Sequence, residues 1–178
     1  MKNVDIGKIN DFVEKAKQNP DLLKKEMKVE VVWDMDENNS QMFSTITYPM
    51  GSQVFYVDQV DFLGGKGRAP NPIQYCLLGL ASCFLATFST VCKEMNLNIN
   101  SVKIIAKNKL NLSLPLGISE EKVSEGIDFE IIVDSFENKE KIEEAKKIAL
   151  SKCPAVWCMK NPIPVNAAVQ HTNLSQTK

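Results

Sequence analysis

The residues of this chain whose type could carry chemistry are its five cysteines, at positions 76, 83, 92, 153 and 158. No apolar signal segment opens the sequence, so we expect a cytoplasmic protein whose reducing surroundings keep structural disulfides open. The thiols are then core residues, metal ligands or redox groups. Zinc sites commonly use cysteines separated by two residues, and no such pair occurs in the sequence. We therefore expect core or redox thiols, with no metal and no other cofactor.

The surroundings of the individual thiols differ. Cys83 lies inside the almost wholly apolar stretch LGLASCFLATFSTVC, some twelve residues into a predicted helix and beyond the reach of its terminal dipole. Cys153 lies between Lys152 and Pro154 at the predicted start of a helical turn, where N–H groups and a cation lower a thiol pKa. Cys92 points about 180° away from Cys83 around the helix and is predicted to fill the core. These residues alone predict that Cys153 is the more acidic thiol.

Arg68 is the only arginine beside 20 lysines, and it closes the glycine-rich segment GGKGR. A phosphate-binding loop is not expected there, because the Gly-Lys-Ser/Thr ending is absent and two following prolines remove backbone donors. Two roles stay open for the planar guanidinium: it binds an anionic ligand group or a thiolate, or it forms a structural or interface ion pair. His171, the single histidine, lies in a polar tail, so a Cys-His catalytic pair is not expected.

The charge balance limits the partners that the chain can have. Lys and Arg number 21 against 22 Asp and Glu, which leaves no broad basic field for a nucleic-acid backbone or an anionic membrane. The most apolar run, residues 75–88, is shorter than the roughly 20 residues that cross a bilayer. We expect neither nucleic acid nor membrane as a partner.

The helices and strands that must position these residues are predicted in an order that indicates an α+β fold. Residues 1–26 form an N-terminal helical arm, because the helical spacing of their apolar residues breaks at Asn19-Pro20. Residues 27–170 form the main domain, and residues 171–178 form a polar tail. The predicted order in the domain is three strands (27–33, 41–48, 52–60), a long helix (71–96), two strands (100–113, 126–134), a helix (139–150), a helical turn and a last strand (163–170). Parallel crossovers are too few for a doubly wound sheet.

The start of the long helix is marked by three agreeing signals. Asn71 can cap it, Pro72 suits its first position, and Gln74 can complete a capping box. The central part of this helix has no polar face, so other elements must cover it on most sides.

The segment GGKGRAPNPIQYCLLGLASC, followed 70 residues after its last cysteine by CPAVW, resembles the OsmC/Ohr family of osmotically induced and organic hydroperoxide resistance proteins. The resemblance extends over about residues 27–170. It implies antiparallel sheets wrapped around long central helices in an intertwined homodimer, which would supply the cover that the apolar helix needs.

The resemblance also implies a reaction. In the peroxidase members, the cysteine at the position of Cys83 attacks a hydroperoxide and becomes a sulfenic acid. The cysteine of the Cys-Pro motif, here Cys153, then forms a disulfide with it, and an external dithiol reduces that disulfide. Arg68 is the candidate stabiliser of the Cys83 thiolate. The implied partners are a second copy of the chain, a small-molecule hydroperoxide and the external dithiol.

Two departures from the peroxidase pattern keep other functions open. Peroxidase members carry a glutamate two residues after the helix-start asparagine, where this chain has Ile73. Their activating arginine lies farther from the helix start than Arg68 does, and the Arg-x-Pro-x-Pro form around Arg68 matches an OsmC-like branch of unsettled activity. One alternative is thiol redox or persulfide handling without peroxidase activity. Another is a non-enzymatic dimer that binds a hydrophobic ligand and keeps its thiols inert.

Overall fold

The computed structural model describes residues 3–171, which contain two antiparallel sheets and four α-helices. The elements in chain order are α1 (Ile6–Gln18), β1 (Val32–Trp33), β2 (Met42–Tyr48), β3 (Gly51–Val57), α2 (Pro72–Glu94), β4 (Ile99–Leu110), β5 (Ser124–Ser135), α3 (Lys139–Lys152) and α4 (Pro154–Lys160). The predicted α+β class is confirmed. The helix predicted before Asn19 is α1, which ends at Gln18, and a short 3-10 turn follows at Pro20–Leu23.

The first sheet is a three-stranded meander in the order β1-β2-β3. Tyr48 pairs with Gly51, so Pro49 and Met50 form a two-residue turn at the predicted place. β1 is only two residues long, although a seven-residue strand was predicted. The preceding Val29 is 60% exposed, because this segment lies at the sheet edge and no ladder in the described chain extends to it.

The second sheet is the long hairpin of β4 and β5, in which Ile104 pairs with Ile131 and Ala106 with Phe129. Alternate residues of both strands turn one face of the sheet toward α2, as the two-residue period of a strand requires. The ring of Phe129 lies 5.0 Å from the ring of Phe84 on α2. The hairpin thus forms one wall of the hydrophobic core.

α2 begins as the sequence predicts. The Asn71 side chain accepts a hydrogen bond from the Gln74 N–H, and the Gln74 side chain accepts one from the Asn71 N–H, each at 2.9 Å. One face of α2 packs against α3, α4 and β4 and supplies the centre of the core. The buried residues of that face are Leu80, Phe84, Phe88, Val91 and Cys92.

The opposite face of α2 is not covered by the described chain. Only 28% of its most apolar 18-residue window is buried, and Leu78 is 57% exposed. α2 is 23 residues long and the same window has a mean hydropathy of 1.7, so α2 meets the length and composition of a membrane-spanning helix, a test that core helices of soluble proteins also pass. The predicted cover on most sides is therefore only partly supplied by one chain.

The last predicted strand, residues 163–170, is wrong. The segment from residue 162 to residue 171 has no regular structure, and Val165 and Val169 are almost fully exposed. A strand needs a neighbour for its backbone hydrogen bonds, and Pro162 and Pro164 have no N–H to donate. The alternating apolar pattern therefore gives no strand here, because no strand of the described chain pairs with this segment.

Candidate thiol site

The structure brings the sulfurs of Cys83 and Cys153 to 3.6 Å from each other, although the residues are 70 positions apart. Cys83 is the twelfth residue of α2, and Cys153 lies where α3 ends and α4 begins. The packing of α2 against α3 and α4 therefore creates the pair. A disulfide is about 2.05 Å long, so an approach of roughly 1.5 Å would bond the two sulfurs.

The backbone of Cys153 is hydrogen-bonded to both α3 and α4. Its N–H donates to the Ala149 carbonyl at the end of α3, and its carbonyl accepts from the Trp157 N–H in the first turn of α4, each at 2.9 Å. Its side chain is fully buried, whereas Cys83 is only half-buried. The half-buried sulfur is thus the one that a small molecule reaches first.

The surroundings of Cys83 act on its pKa in opposite directions. Burial has the largest effect and raises the pKa, because a thiolate loses hydration in the apolar core. A hydrogen bond from the backbone N–H of Ala155 lowers it, and the neighbouring thiol of Cys153 raises it further. The net result is a pKa above the ordinary value, so Cys83 is mostly protonated at neutral pH.

Ala155 was missed by the sequence analysis, although the sequence contains a signal for it. It follows Pro154, which occupies the first position of α4, and the N–H groups of a first helical turn have no partner within the helix. Such a group is free to donate to a nearby sulfur. The lowering effect that the sequence assigned to Cys153 thus acts, through Ala155, on Cys83.

The other three cysteines lie in different places. Cys92 is completely buried, and burial raises its pKa to about 11, which confirms the prediction of a core thiol. Cys76 and Cys158 are both exposed. Among residues 3–171, no three His, Cys, Asp or Glu side chains are grouped so as to hold a metal ion. His171 is exposed at the end of the described chain.

Within residues 3–171, the Arg68 guanidinium contacts backbone carbonyls and neither a thiol nor a carboxylate. One guanidinium nitrogen, Nη1, donates to the carbonyls of Glu37 and Asn39, at 3.0 and 2.8 Å. These carbonyls belong to the loop between β1 and β2, so Arg68 connects that loop to the glycine-rich segment. The structure does not place Arg68 with the thiol pair, and its role as a thiolate stabiliser stays a prediction.

The glycine-rich segment is hydrogen-bonded to a buried carboxylate. Asp58 is 1% exposed and accepts the Arg68 N–H at 3.0 Å, and this bond is the main cause that holds the pKa of Asp58 below its usual value. Gly65 passes so close to this turn that a Cβ on it would lie 1.9 Å from the carbonyl oxygen of Gln59. The glycines therefore serve a tight turn.

Two apolar cavities border α2. A cleft of about 690 Å³ separates the first sheet from the start of the helix, and its walls include Phe55, Tyr75 and Leu78. A second cavity, of about 470 Å³, lies among α2, α4 and β5, with Leu80 and Val156 in its walls. Leu80 comes one turn before Cys83 and Val156 follows Cys153 by three residues, but neither cysteine lines this cavity.

Comparisons with known proteins agree on one family. The family model described as OsmC-like protein matches residues 65–168. No curated protein sequence matches the chain significantly.

Several solved structures share the fold at low sequence identity. An OsmC-like protein from Mycoplasma pneumoniae is 17% identical, with a TM-score of 0.61 over 78% of this chain and 90% of its own. The organic hydroperoxide resistance protein OsmC from Legionella pneumophila is 19% identical, with a TM-score of 0.56 over 77% of this chain and 92% of its own. An organic hydroperoxide resistance protein from Elizabethkingia anophelis is 17% identical, with a TM-score of 0.55 over 78% of this chain and 92% of its own.

Proposed function

We propose that this chain, which belongs to the OsmC-like protein family, is a thiol-dependent peroxidase that reduces organic hydroperoxides through Cys83 and Cys153. The observation that carries the proposal is the distance of 3.6 Å between the two sulfurs. Two relatives by fold, from Legionella pneumophila and Elizabethkingia anophelis, are named organic hydroperoxide resistance proteins.

The proposed reaction has three steps. The Cys83 thiolate attacks the outer oxygen of the hydroperoxide, the O–O bond breaks, and the alcohol leaves after it takes up a proton. The Cys153 sulfur then attacks the Cys83 sulfenic acid, forming the disulfide and releasing water. An external dithiol reduces that disulfide by two exchanges and becomes a disulfide itself.

The surroundings of the pair favour an organic substrate. The cavity among α2, α4 and β5 has apolar side chains in its walls, among them Leu80 and Val156, each one helical turn along the chain from a thiol of the pair, and these suit the alkyl part of a hydroperoxide. Cys153 lies within a disulfide-forming distance of Cys83 and can trap the sulfenic acid before a second peroxide oxidises it further. A reducing cytoplasm would then supply the dithiol.

The proposal includes an intertwined homodimer. The uncovered face of α2 and the cleft beside it expose Leu78 and Val31, at 57% each, and a second copy of the chain would cover them. Light scattering at micromolar concentration should give twice the chain mass. A monomer would contradict the dimer while leaving the thiol chemistry open.

Steady-state consumption of an organic hydroperoxide with a dithiol as reductant tests the activity. We expect Cys83→Ser to abolish turnover and Cys153→Ser to allow one oxidation of Cys83 without forming the intramolecular disulfide. Cys92→Ser, at the buried thiol far from the reaction, is the control for the number of cysteines. A Cys83→Ser protein that turns over hydroperoxide at the parental rate would end the proposal.

Ile73, at the position where peroxidase members carry a glutamate, leaves Cys83 without that carboxylate and favours one alternative, thiol redox or persulfide handling without peroxidase activity. In persulfide transfer the Cys83 thiolate attacks the outer sulfur of the donor, and the rest of the donor leaves as a thiolate that takes up a proton. The intact mass of the protein is measured after peroxide and, separately, after a persulfide donor. A loss of two hydrogens after peroxide marks the disulfide of a peroxidase. A gain of one sulfur after the donor, with no disulfide after peroxide, marks persulfide transfer.

A further inference from the structure

The interior of α2 contains one glycine, Gly79, the eighth residue of the helix. Glycine is the poorest helix former after proline, and it suits a helix interior where another group must approach the backbone closely. Within residues 3–171 no group makes that approach, because a Cβ on Gly79 would have open space around it for 4 Å. Packing within the described chain therefore does not explain the missing side chain.

Gly79 lies beside the reacting thiol of the pair. It precedes Cys83 by one helical turn, so the two residues share a face of α2, with their Cβ positions roughly 5–6 Å apart. Helical side chains lean toward the N-terminus, so the Cys83 sulfur lies over the turn that contains residues 79 and 80. Leu80 is buried in the core, whereas Gly79 is exposed. The open side of this turn is therefore the side of Gly79.

The exposed side of Gly79 faces an apolar cleft. Gly79 lies in the wall of the cleft of about 690 Å³ between the first sheet and the start of α2, together with Tyr75 and Leu78. Neither cysteine of the pair lines this cleft, and Gly79 is its wall residue nearest to Cys83 along α2. A long side chain at position 79 would extend into the space between the cleft and the thiol, and a hydrogen leaves that space open.

We propose that Gly79 is a specificity-determining residue, whose missing side chain leaves the opening through which the carbon group of a substrate reaches the Cys83 sulfur. The proposal rests on Cys83 as the attacking thiol of the proposed function. The leaving oxygen of a hydroperoxide lies opposite the attacking sulfur and carries the carbon group, which needs free space that the buried Leu80 and Cys153 do not offer. Hydrogen peroxide has no carbon group and does not need the opening. The opening must persist in the proposed homodimer, since a second copy packed onto Gly79 would close the exposed side of the sulfur.

Two thiol reagents of different size test the opening on the reduced protein. N-Phenylmaleimide is bulky and iodoacetamide is small, and both react with the thiolate, so the ratio of their rates at Cys83 cancels any change in its pKa. Peptide mass spectrometry reads Cys83 separately from the exposed Cys76 and Cys158. Gly79→Leu should lower the ratio of the bulky to the small reagent about tenfold or more. The matched control, Thr90→Leu, adds the same side chain to the same face two turns beyond Cys83 and should keep the parental ratio.

Gly79→Ala separates the opening from a packing role. Alanine fits the open space and is the better helix former, so this variant should raise Tm by about 2–4 °C. A lower Tm, with loss of the dimer mass in light scattering, would mean that a second copy packs against Gly79 and would overturn the opening. Equal slowing of both reagents by Gly79→Leu would overturn it as well.

Peroxide assays connect the opening to the proposed function. Gly79→Leu should slow the oxidation of Cys83 by cumene hydroperoxide and leave its oxidation by hydrogen peroxide at the parental rate. A lowered reagent ratio in a protein inert toward both peroxides would keep the opening and remove the peroxidase. Parental turnover of cumene hydroperoxide by Gly79→Leu, with an unchanged reagent ratio, would keep the peroxidase and remove the opening.

Discussion

Oxidation of the thiol pair should stabilise the protein strongly, because the bond would join residues 83 and 153 across 70 positions. A cross-link removes conformational freedom from the unfolded chain, and the loss grows with the length of the closed loop. The loop-entropy relation gives about 3 kcal/mol for 15 residues and about 4.7 kcal/mol for 100, so this loop corresponds to about 4.4 kcal/mol.

The native structure lowers this value only by the cost of closing the gap. The sulfurs must move about 1.5 Å closer to bond, and α4 is a seven-residue helix that can shift with Cys153. For a domain of this size each kcal/mol raises Tm by about 2–4 °C, so the oxidised protein should unfold about 10 °C higher than the reduced protein.

Thermal unfolding followed by far-UV circular dichroism measures the difference. The diamide-oxidised protein without reductant and the same protein with excess phosphine reductant are compared at one concentration, because dimerisation would make Tm concentration-dependent. The Cys153→Ser variant, compared after diamide and after phosphine, should show less than a third of the parental difference in Tm. Equal melting of the oxidised and reduced parental protein would refute the reasoning, since it would mean that the bond distorts the native core as much as it constrains the unfolded chain.

Three further predictions concern the surroundings of the pair. Arg68→Ala should lower the free energy of unfolding by about 1–2 kcal/mol in urea, because it removes the nitrogen that donates to both loop carbonyls, and should leave the alkylation rate of Cys83 unchanged; a changed rate would restore Arg68 to the thiol site. Gly65→Ala should lower the free energy of unfolding by more than about 2 kcal/mol, since its Cβ would meet the Gln59 carbonyl at 1.9 Å. The control Lys66→Ala should change that free energy by no more than about 0.5 kcal/mol, and equal effects of the two substitutions would contradict the close approach. Because burial raises the pKa of Cys83, its alkylation by iodoacetamide should be slower at neutral pH than that of a free thiol. The rate should still increase with pH in the range where free thiols are already ionised. A rate that reaches its plateau at or below the pH range of a free thiol would show that the Ala155 N–H outweighs burial.

The parts of the fold that the sequence predicts correctly are those that local chemistry decides. Asn71, Pro72 and Gln74 define the start of α2 within four residues, and each acts on backbone groups of its own first turn. Cys153 is likewise predicted at a helix start because Pro154 follows it. Such contacts need no knowledge of distant elements.

The features that local sequence patterns do not decide depend on distant elements. The alternating pattern of residues 163–170 states which side chains would share a face, but it does not say whether a sheet edge is available. Arg68 is conspicuous by its type, yet its partners are backbone carbonyls 29 and 31 positions away, which have no side-chain signature. The proximity of Cys83 and Cys153 follows from the family resemblance alone, since no local pattern joins them.

The chemistry of Cys83 and the position of Cys153 depend on the same end of α4. The N–H that lowers the pKa of Cys83 comes from Ala155, two residues after Cys153, so any movement of Cys153 toward Cys83 also moves that donor. The thiolate needs the N–H before peroxide attack, whereas the disulfide needs the Cys153 sulfur after it. One short helix can serve both steps because Cys153 caps it and Ala155 lies in its first turn. In the proposed reaction the separation of roles would therefore arise within α4, where the Ala155 backbone N–H would assist the attacking thiol and the Cys153 side chain would resolve the sulfenic acid.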